Sequence, residues 1–97
     1  MNNKVIICGI PYTIKEVNVI DDVSSGKILG RIEYGKQEIQ VRSDLPKEAK
    51  EETIIHEMVH GILEHIGEDE LTVNEKFVQQ LANAIYNSSF DLNIRDI

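Results

Sequence analysis

The sequence predicts an α+β fold, in which a small twisted β-sheet of three or four strands is followed by two antiparallel helices packed on it. Residues 4–42 are rich in β-branched residues and alternate between apolar and polar side chains, which is typical of strands. Apolar residues recur at helical spacing in residues 45–66 and again in 72–87. We therefore expect a single domain over residues 1–97, ending in a tail of residues 88–97.

The first two strands are expected on either side of a turn. Residues 4–8 are apolar and β-branched, and residues 9–11, a Gly-Ile-Pro sequence, predict the turn. Residues 12–20 continue in the same residue types, but the apolar alternation shifts between Ile14 and Val17. That shift indicates either a β-bulge or two separate strand pieces.

A hairpin is the clearest element of the first half. Residues 28–34 and 38–42 each alternate apolar and polar side chains, and Gly35-Lys36 lies between them as a turn. Because residues 38–42 lead directly into the first helix, we expect them at an open sheet edge to which an extended peptide can add. The tail 88–97 also alternates, which is compatible with a late strand on this edge or with a mobile end.

Two helices are expected in the second half. Ser43-Asp44 supplies a cap candidate for the helix over 45–66, with Pro46 in its first turn. Gly67 follows as the stop signal, and residues 68–70 form a short acidic connection to the helix over 72–87. The apolar stripe of the first helix is expected to centre on Ile55, Ile62 and Ile66.

Composition and charge narrow the classes of function. No apolar run approaches the length of a membrane span and no leader sequence is visible, so we expect a cytoplasmic protein without a membrane partner. The single cysteine, Cys8, excludes an intrachain disulfide, and we expect it to pack as a small apolar residue in the first strand. The net charge of -7 argues against direct nucleic-acid binding.

The three histidines all lie in the first predicted helix. His56 and His60 stand four residues apart, about 40° around a helix, so that both imidazoles can bind one ion without bending the backbone. Glu57 lies about 100° from His56, which keeps it away from the ion but near the water that a metal activates. Two surface histidines beside a solvated glutamate are the alternative, but the complete H-E-x-x-H pattern favours a metal site.

A catalytic zinc ion usually has three protein ligands, so a third one is needed. His65 is five residues after His60 and points elsewhere on the same helix. Glu75, at the edge of the apolar face of the second helix, can face both histidines if the two helices pack together. Thr72-x-x-Glu75 is also a capping-box pattern, in which Glu75 would bond back to the backbone of Thr72.

The H-E-x-x-H sequence of residues 56–60, followed by Asn74-Glu75, resembles the gluzincin metallopeptidases, in particular their one-domain miniature forms. The arrangement is also similar to the small phage and mobile-element proteins of the ImmA/IrrE metallopeptidase type. The resemblance covers about residues 28–87 and implies a zincin-like fold. The histidine motif is highly specific, whereas the Asn-Glu pair is a weak signal by itself.

The resemblance implies that His56, His60 and Glu75 bind Zn²⁺ and that Glu57 is the general base. Many gluzincins have an aspartate four residues after the ligand glutamate, where it orients a ligand histidine. This chain has Gln79 there, which can form a hydrogen bond but carries no charge. This departure predicts weaker catalysis than in those gluzincins and leaves the expected metal ligands unchanged.

The function implied is zinc-dependent hydrolysis of a peptide bond in an intracellular protein, such as a repressor of a phage or mobile element. No residue is obviously placed to stabilise the oxyanion. Tyr86 is a candidate ahead of Tyr34 and Tyr12, but a role as core or edge aromatics is the stronger expectation for all three. The alternative is a catalytically weak or inactive, zinc-stapled acidic protein that sequesters a basic partner, which the net charge of -7 also favours. Turnover at substoichiometric amounts would distinguish the enzyme from the sequestering protein.

Overall fold

The computed structural model describes residues 3–18, 20 and 28–88. This part of the chain contains four strands and three helices, and the α+β fold expected from the sequence is confirmed. The predicted tail 88–97 lies outside the described residues, apart from Ser88. In chain order the elements are β1 (Lys4–Ile7), β2 (Ile10–Val17), β3 (Gly30–Glu33), β4 (Glu38–Arg42), α1 (Lys47–His65), α2 (Asp69–Thr72) and α3 (Glu75–Tyr86).

The sheet is mixed and has the strand order β1-β2-β4-β3. β1 pairs antiparallel with β2, β3 pairs antiparallel with β4, and β2 pairs parallel with β4. The prediction that residues 38–42 form an edge was therefore wrong, because β4 lies between β2 and β3. Ile39 and Val41 of β4 are fully buried, as suits a central strand, and β3 is the edge strand beside it.

The first turn lies one residue earlier than predicted. Cys8 and Gly9, both with positive φ angles, connect β1 to β2, and Ile7 pairs with Ile10 across the turn. Pro11 therefore belongs to β2 and not to the turn. Cys8 is exposed, so the expectation that it packs in a strand was also wrong.

β2 is a single strand, which excludes the two-piece alternative. Tyr12 and Ile14 are buried, and the alternation then breaks at Glu16, which is exposed, and Val17, which is half-buried. The break coincides with a change of neighbours. β1 pairs with the first half of β2, up to Thr13, and β4 pairs with the second half, from Thr13 onward.

The buried face of α1 differs from the predicted stripe. Ile62 and Ile66 are 38% and 59% exposed, so the prediction that the stripe centres on them was wrong. The helix contacts both the sheet and α3. Its buried face therefore lies between these two surfaces and differs from the predicted stripe. The buried apolar residues of α1 are Ile54, Ile55, Val59 and Leu63.

The ends of α1 are defined in different ways. Pro46 occupies the position before the helix, and the predicted cap residue Asp44 instead forms an ion pair with Arg42 at 2.6 Å. At the other end Gly67 adopts φ 80°, as the stop signal requires. The amide of Glu68 donates to the carbonyl oxygen of Leu63 at 2.9 Å, which satisfies a carbonyl of the last turn.

The acidic connection contains a short helix that was not predicted. α2 spans Asp69–Thr72, and the following helix begins at Glu75 and not near residue 72. Asn74 is its N-cap residue, because the Asn74 side chain accepts a hydrogen bond from the Phe77 amide at 3.1 Å. α3 packs on α1 through its buried residues Val78 and Ala82, and Tyr86 donates to Glu51 Oε1 at 2.9 Å.

No helix in residues 3–18, 20 and 28–88 is long and apolar enough to cross a membrane.

The contact between β3 and α1 depends on Gly30. A methyl group at this position would collide with Thr53 Cγ2 and would lie 3.0 Å from the Gln40 carbonyl oxygen. We expect Gly30→Ala to lower the free energy of unfolding by about 1–3 kcal/mol, because β3 must move away from the helix. Gly35→Ala is the matched control, since nothing lies within 4 Å of its added methyl group. Equal urea midpoints for the two variants would contradict this role of Gly30.

Candidate metal centre

His56 and His60 lie one turn apart on α1, where this helix meets α2 and α3. Their ring centroids are 5.0 Å apart, and both side chains are half-buried. Each histidine follows a buried core residue, Ile55 or Val59, which fixes the helix against the sheet and α3. The core packing of α1 thus holds the two imidazoles on one side of the helix.

Glu75, the first residue of α3, faces both histidines. Its carboxylate oxygens lie 3.2 Å from His56 Nε2 and 3.0 Å from His60 Nε2. Asn74 caps α3, so the capping-box alternative, in which Glu75 bonds back to Thr72, does not describe this structure. The structure brings together the three residues that the sequence suggested as metal ligands.

The other ring nitrogen of each histidine has its own partner. His56 Nδ1 lies 2.9 Å from Gln79 Oε1, and because that oxygen can only accept, Nδ1–H is the donor. His60 Nδ1 donates to the Thr72 hydroxyl at 3.1 Å, and this hydroxyl donates to the His60 carbonyl oxygen at 3.4 Å. Both imidazoles are thereby oriented with Nε2 toward Glu75.

This donor set fits a metal ion. Each Nε2 faces a carboxylate oxygen of Glu75, so a cation between them could be bound by both ring nitrogens and by the carboxylate. Two ligands about 2.0–2.1 Å from a tetrahedral ion are about 3.3 Å apart, close to the observed 3.0 and 3.2 Å separations. One ligand atom from each of His56, His60 and Glu75 lies within 4.8 Å of the others. Two imidazoles and one carboxylate are a donor set that suits Zn²⁺.

Burial tunes the charge of His60. Desolvation is the larger effect and lowers the pKa of this imidazole below its usual value, while the Glu75 carboxylate acts in the opposite direction. The lowered pKa keeps His60 neutral at physiological pH. The neutral imidazole is the form that binds metals.

Glu57 is a buried carboxylate beside this cluster. It is 8% exposed, and burial, followed by the nearby Glu75 carboxylate, raises its pKa to about 7. A carboxylate with this pKa can both accept and return a proton at neutral pH. Its position on α1 next to His56, together with its burial, therefore suits a general base.

The cluster opens into a cleft of about 620 Å³ between β3, α1 and the start of α3. The cleft is lined by Ile28, Leu29, Gly30, Arg31, Ile32, Tyr34, Ala49, Glu52, Thr53, His56, Glu57, His60, Glu75 and Gln79. The strand beside it is β3, at the edge of the sheet, and not β4 as the sequence suggested. An extended peptide in this cleft would thus meet an edge strand whose outer side has no neighbour among the described strands.

The structure changes the order of the tyrosines as candidates for the oxyanion donor. Tyr86 donates to Glu51, packs against the core and does not line the cleft, so it has the structural role that was the stronger expectation and is not placed as an oxyanion donor. Tyr34 lines the cleft, and burial, followed by the charge of Glu64, raises its pKa to about 12. Tyr34 therefore keeps its proton at neutral pH and can donate. Its ring contacts His65, which also lies 2.9 Å from the Tyr12 hydroxyl.

Sequence reasoning missed the contact between Thr72 and His60. Thr72 was considered only as a possible cap of α3, whereas the short helix α2 places its hydroxyl against the imidazole. No local pattern identifies that contact, because residues 60 and 72 are on different helices. Gln79 was recognised from the resemblance, and its contact with His56 corresponds to the orienting position considered there.

Comparison of the chain with protein-family models, with curated proteins and with solved structures gave no match.

Proposed function

We propose that this chain is a zinc-dependent metallopeptidase of the gluzincin type. The observation that carries the proposal is the convergence of His56, His60 and Glu75 within 4.8 Å, with the buried Glu57 lining the same cleft. The H-E-x-x-H motif and its resemblance to gluzincins support the same function. The similarity to ImmA/IrrE-type proteins extends the proposal to the substrate, a repressor protein of a phage or mobile element.

The roles of the residues follow from their positions. His56, His60 and Glu75 would hold Zn²⁺, which acidifies water and polarises a peptide carbonyl when bound. Glu57 takes the proton from the attacking water and delivers it to the leaving amine. Gln79 and Thr72 keep the two imidazoles in the orientation that directs Nε2 to the ion.

The substrate is positioned by the edge strand and the cleft. The outer side of β3 offers backbone amide and carbonyl groups to an extended peptide, which is a common mode of peptide recognition. Tyr34, at the end of this strand, supplies a protonated hydroxyl at the cleft, where negative charge develops on the carbonyl oxygen. In this proposal β3 takes the place of β4 as the peptide-binding strand, and Tyr34 takes the place of Tyr86 as the candidate oxyanion donor.

Zinc content and turnover together test this proposal. Elemental analysis of the purified protein should give one zinc per chain. Denatured protein or repressor-derived peptides should be cleaved at substoichiometric amounts of the protein, and a chelator should stop the reaction. A protein that carries zinc but cleaves no peptide bond would overturn the peptidase assignment.

The sequestering protein remains the second candidate. The observation that favours it is the exposed acidic group Glu64, Glu68, Asp69 and Glu70 around the end of α1, which could contact a basic partner. Such a protein would act only at a one-to-one ratio with its partner. Titration of a basic partner therefore distinguishes the two functions.

For Glu75 the sequence left two roles open, that of a metal ligand and that of a helix-capping residue. We expect Glu75→Ala to weaken zinc binding by at least about 10–100-fold, since even residues that only orient a ligand contribute that much. Asn74→Ala is the matched control: it removes the cap of α3, costs about 1 kcal/mol of unfolding free energy, and leaves zinc affinity unchanged. Competition with a chelator measures both affinities. An unchanged affinity in Glu75→Ala would mean that Glu75 is not a ligand.

A further inference from the structure

One carboxylate of the cleft is not used by the proposed chemistry. α1 presents a row of residues to the cleft at helical spacing, and Glu52 lies one turn before His56 in that row. The Glu52 side chain is half-buried, unlike the exposed Glu48 one turn earlier. Glu52 is thus a charged group inside the cleft and close to the metal cluster.

Among the described residues, no cation pairs with Glu52. In the part of the chain that the structure describes, the cleft is lined by three carboxylates, Glu52, Glu57 and Glu75, and by one cationic side chain, Arg31. The Arg31 guanidinium is held by Glu33 at 2.7 Å, on its own strand. Within residues 3–18, 20 and 28–88, Glu52 forms no ion pair, whereas Glu57 and Glu75 have roles in the proposed reaction.

We propose that Glu52 determines specificity by binding a lysine or arginine side chain of the substrate close to the bond that is cut. This inference rests on the proposed function, since it names the class of substrate for the same cleft. Residues one helical turn apart are about 5–6 Å apart at Cβ. An extended peptide advances about 3.3 Å per residue, so the basic side chain lies within about two residues of the cleaved bond.

The effect of Glu52 should be measurable because the cleft is partly shielded from water. A half-buried carboxylate is screened less than a surface one, and a charge-assisted hydrogen bond is stronger than a neutral one. We expect a discrimination of about tenfold between lysine and an uncharged side chain of similar length. The exposed Glu48 should provide almost none, although it carries the same charge on the same helix.

Peptide binding to a protein that does not turn over provides the first test. The probes are acetylated and amidated decapeptides in which one position at a time carries either lysine or norleucine. In zinc-loaded protein with Glu57→Gln, lysine at one position or more should bind about tenfold more tightly than norleucine. Adding Glu52→Gln should reduce that ratio to about twofold or less, and adding Glu48→Gln should leave it unchanged.

A charge reversal guards against a folding artefact. Glu52→Lys should shift the preference from lysine to glutamate at the same peptide position, a change that a merely loosened cleft would not produce. The inference is overturned if Glu52→Gln keeps the full lysine preference, if no position shows a preference, or if no peptide binds. Cleavage of the same peptides by the wild-type protein is scored separately. Binding that depends on Glu52 without any cleavage would reject the peptidase and keep the specificity site.

Discussion

Replacing Glu57 with glutamine is expected to lower kcat about 10²–10⁴-fold while the fold and the zinc content stay unchanged. Glutamine has nearly the same shape as glutamate, so the buried position next to His56 stays filled. It cannot accept a proton from water, however, so the proposed general base is lost. Initial rates on a cleavable peptide, with zinc measured on the same samples, give the result.

The control for Glu57 is Glu64→Gln, which makes the same chemical change on the same helix at an exposed position. This variant should cleave at the wild-type rate. A Glu57→Gln protein that is fully active would show that another group accepts the proton. Loss of zinc from this variant would instead assign Glu57 to the metal site.

For His60→Ala we expect loss of stoichiometric zinc and, with it, loss of turnover. The substitution removes one of the three residues proposed to bind zinc, and the two that remain do not form the usual three-residue zinc site. Zinc at 1,000 times its dissociation constant stabilises a folded protein by about 4 kcal/mol. The Tm of zinc-free wild-type protein should therefore rise on adding zinc, whereas the Tm of His60→Ala should stay nearly constant.

The third histidine supplies the control for this experiment. His65 contacts the Tyr12 hydroxyl and the Tyr34 ring, and it is not part of the ligand cluster. His65→Ala should retain one zinc per chain and the zinc-dependent rise in Tm. Equal zinc loss in both variants would show that the metal is bound by some other combination of residues.

Local patterns in the sequence were sufficient to predict the features that depend only on residues close together in the chain. The hairpin of β3 and β4 followed from alternation around Gly35, and the end of α1 followed from Gly67. The spacing of His56 and His60 required only the helix itself. Each of these features is set by a few consecutive residues, so the sequence carries a direct signal for it.

The features that were missed depend on contacts between distant segments. Alternation in residues 38–42 shows that one face is buried, but it is the same for an edge and for a central strand. The exposure of Ile62 and Ile66 likewise depends on where the sheet and α3 approach α1. The hydrogen bond of Thr72 to His60 needs α2, a four-residue helix too short to leave a periodic pattern.

The parallel pairing of β2 with β4 has a consequence for how the chain folds. β1 with β2 and β3 with β4 are hairpins whose partners are close in sequence, so each can form early and at little cost in chain entropy. The central ladder instead joins Thr13 to Glu38 and Val17 to Arg42, which closes a long segment of chain. We infer that docking of the two hairpins is the slow step, because non-local pairing is rewarded only after the loop has closed. The cleft lies against the β3–β4 hairpin, so this docking, by completing the sheet behind it, would also set when the protein becomes competent to bind a ligand.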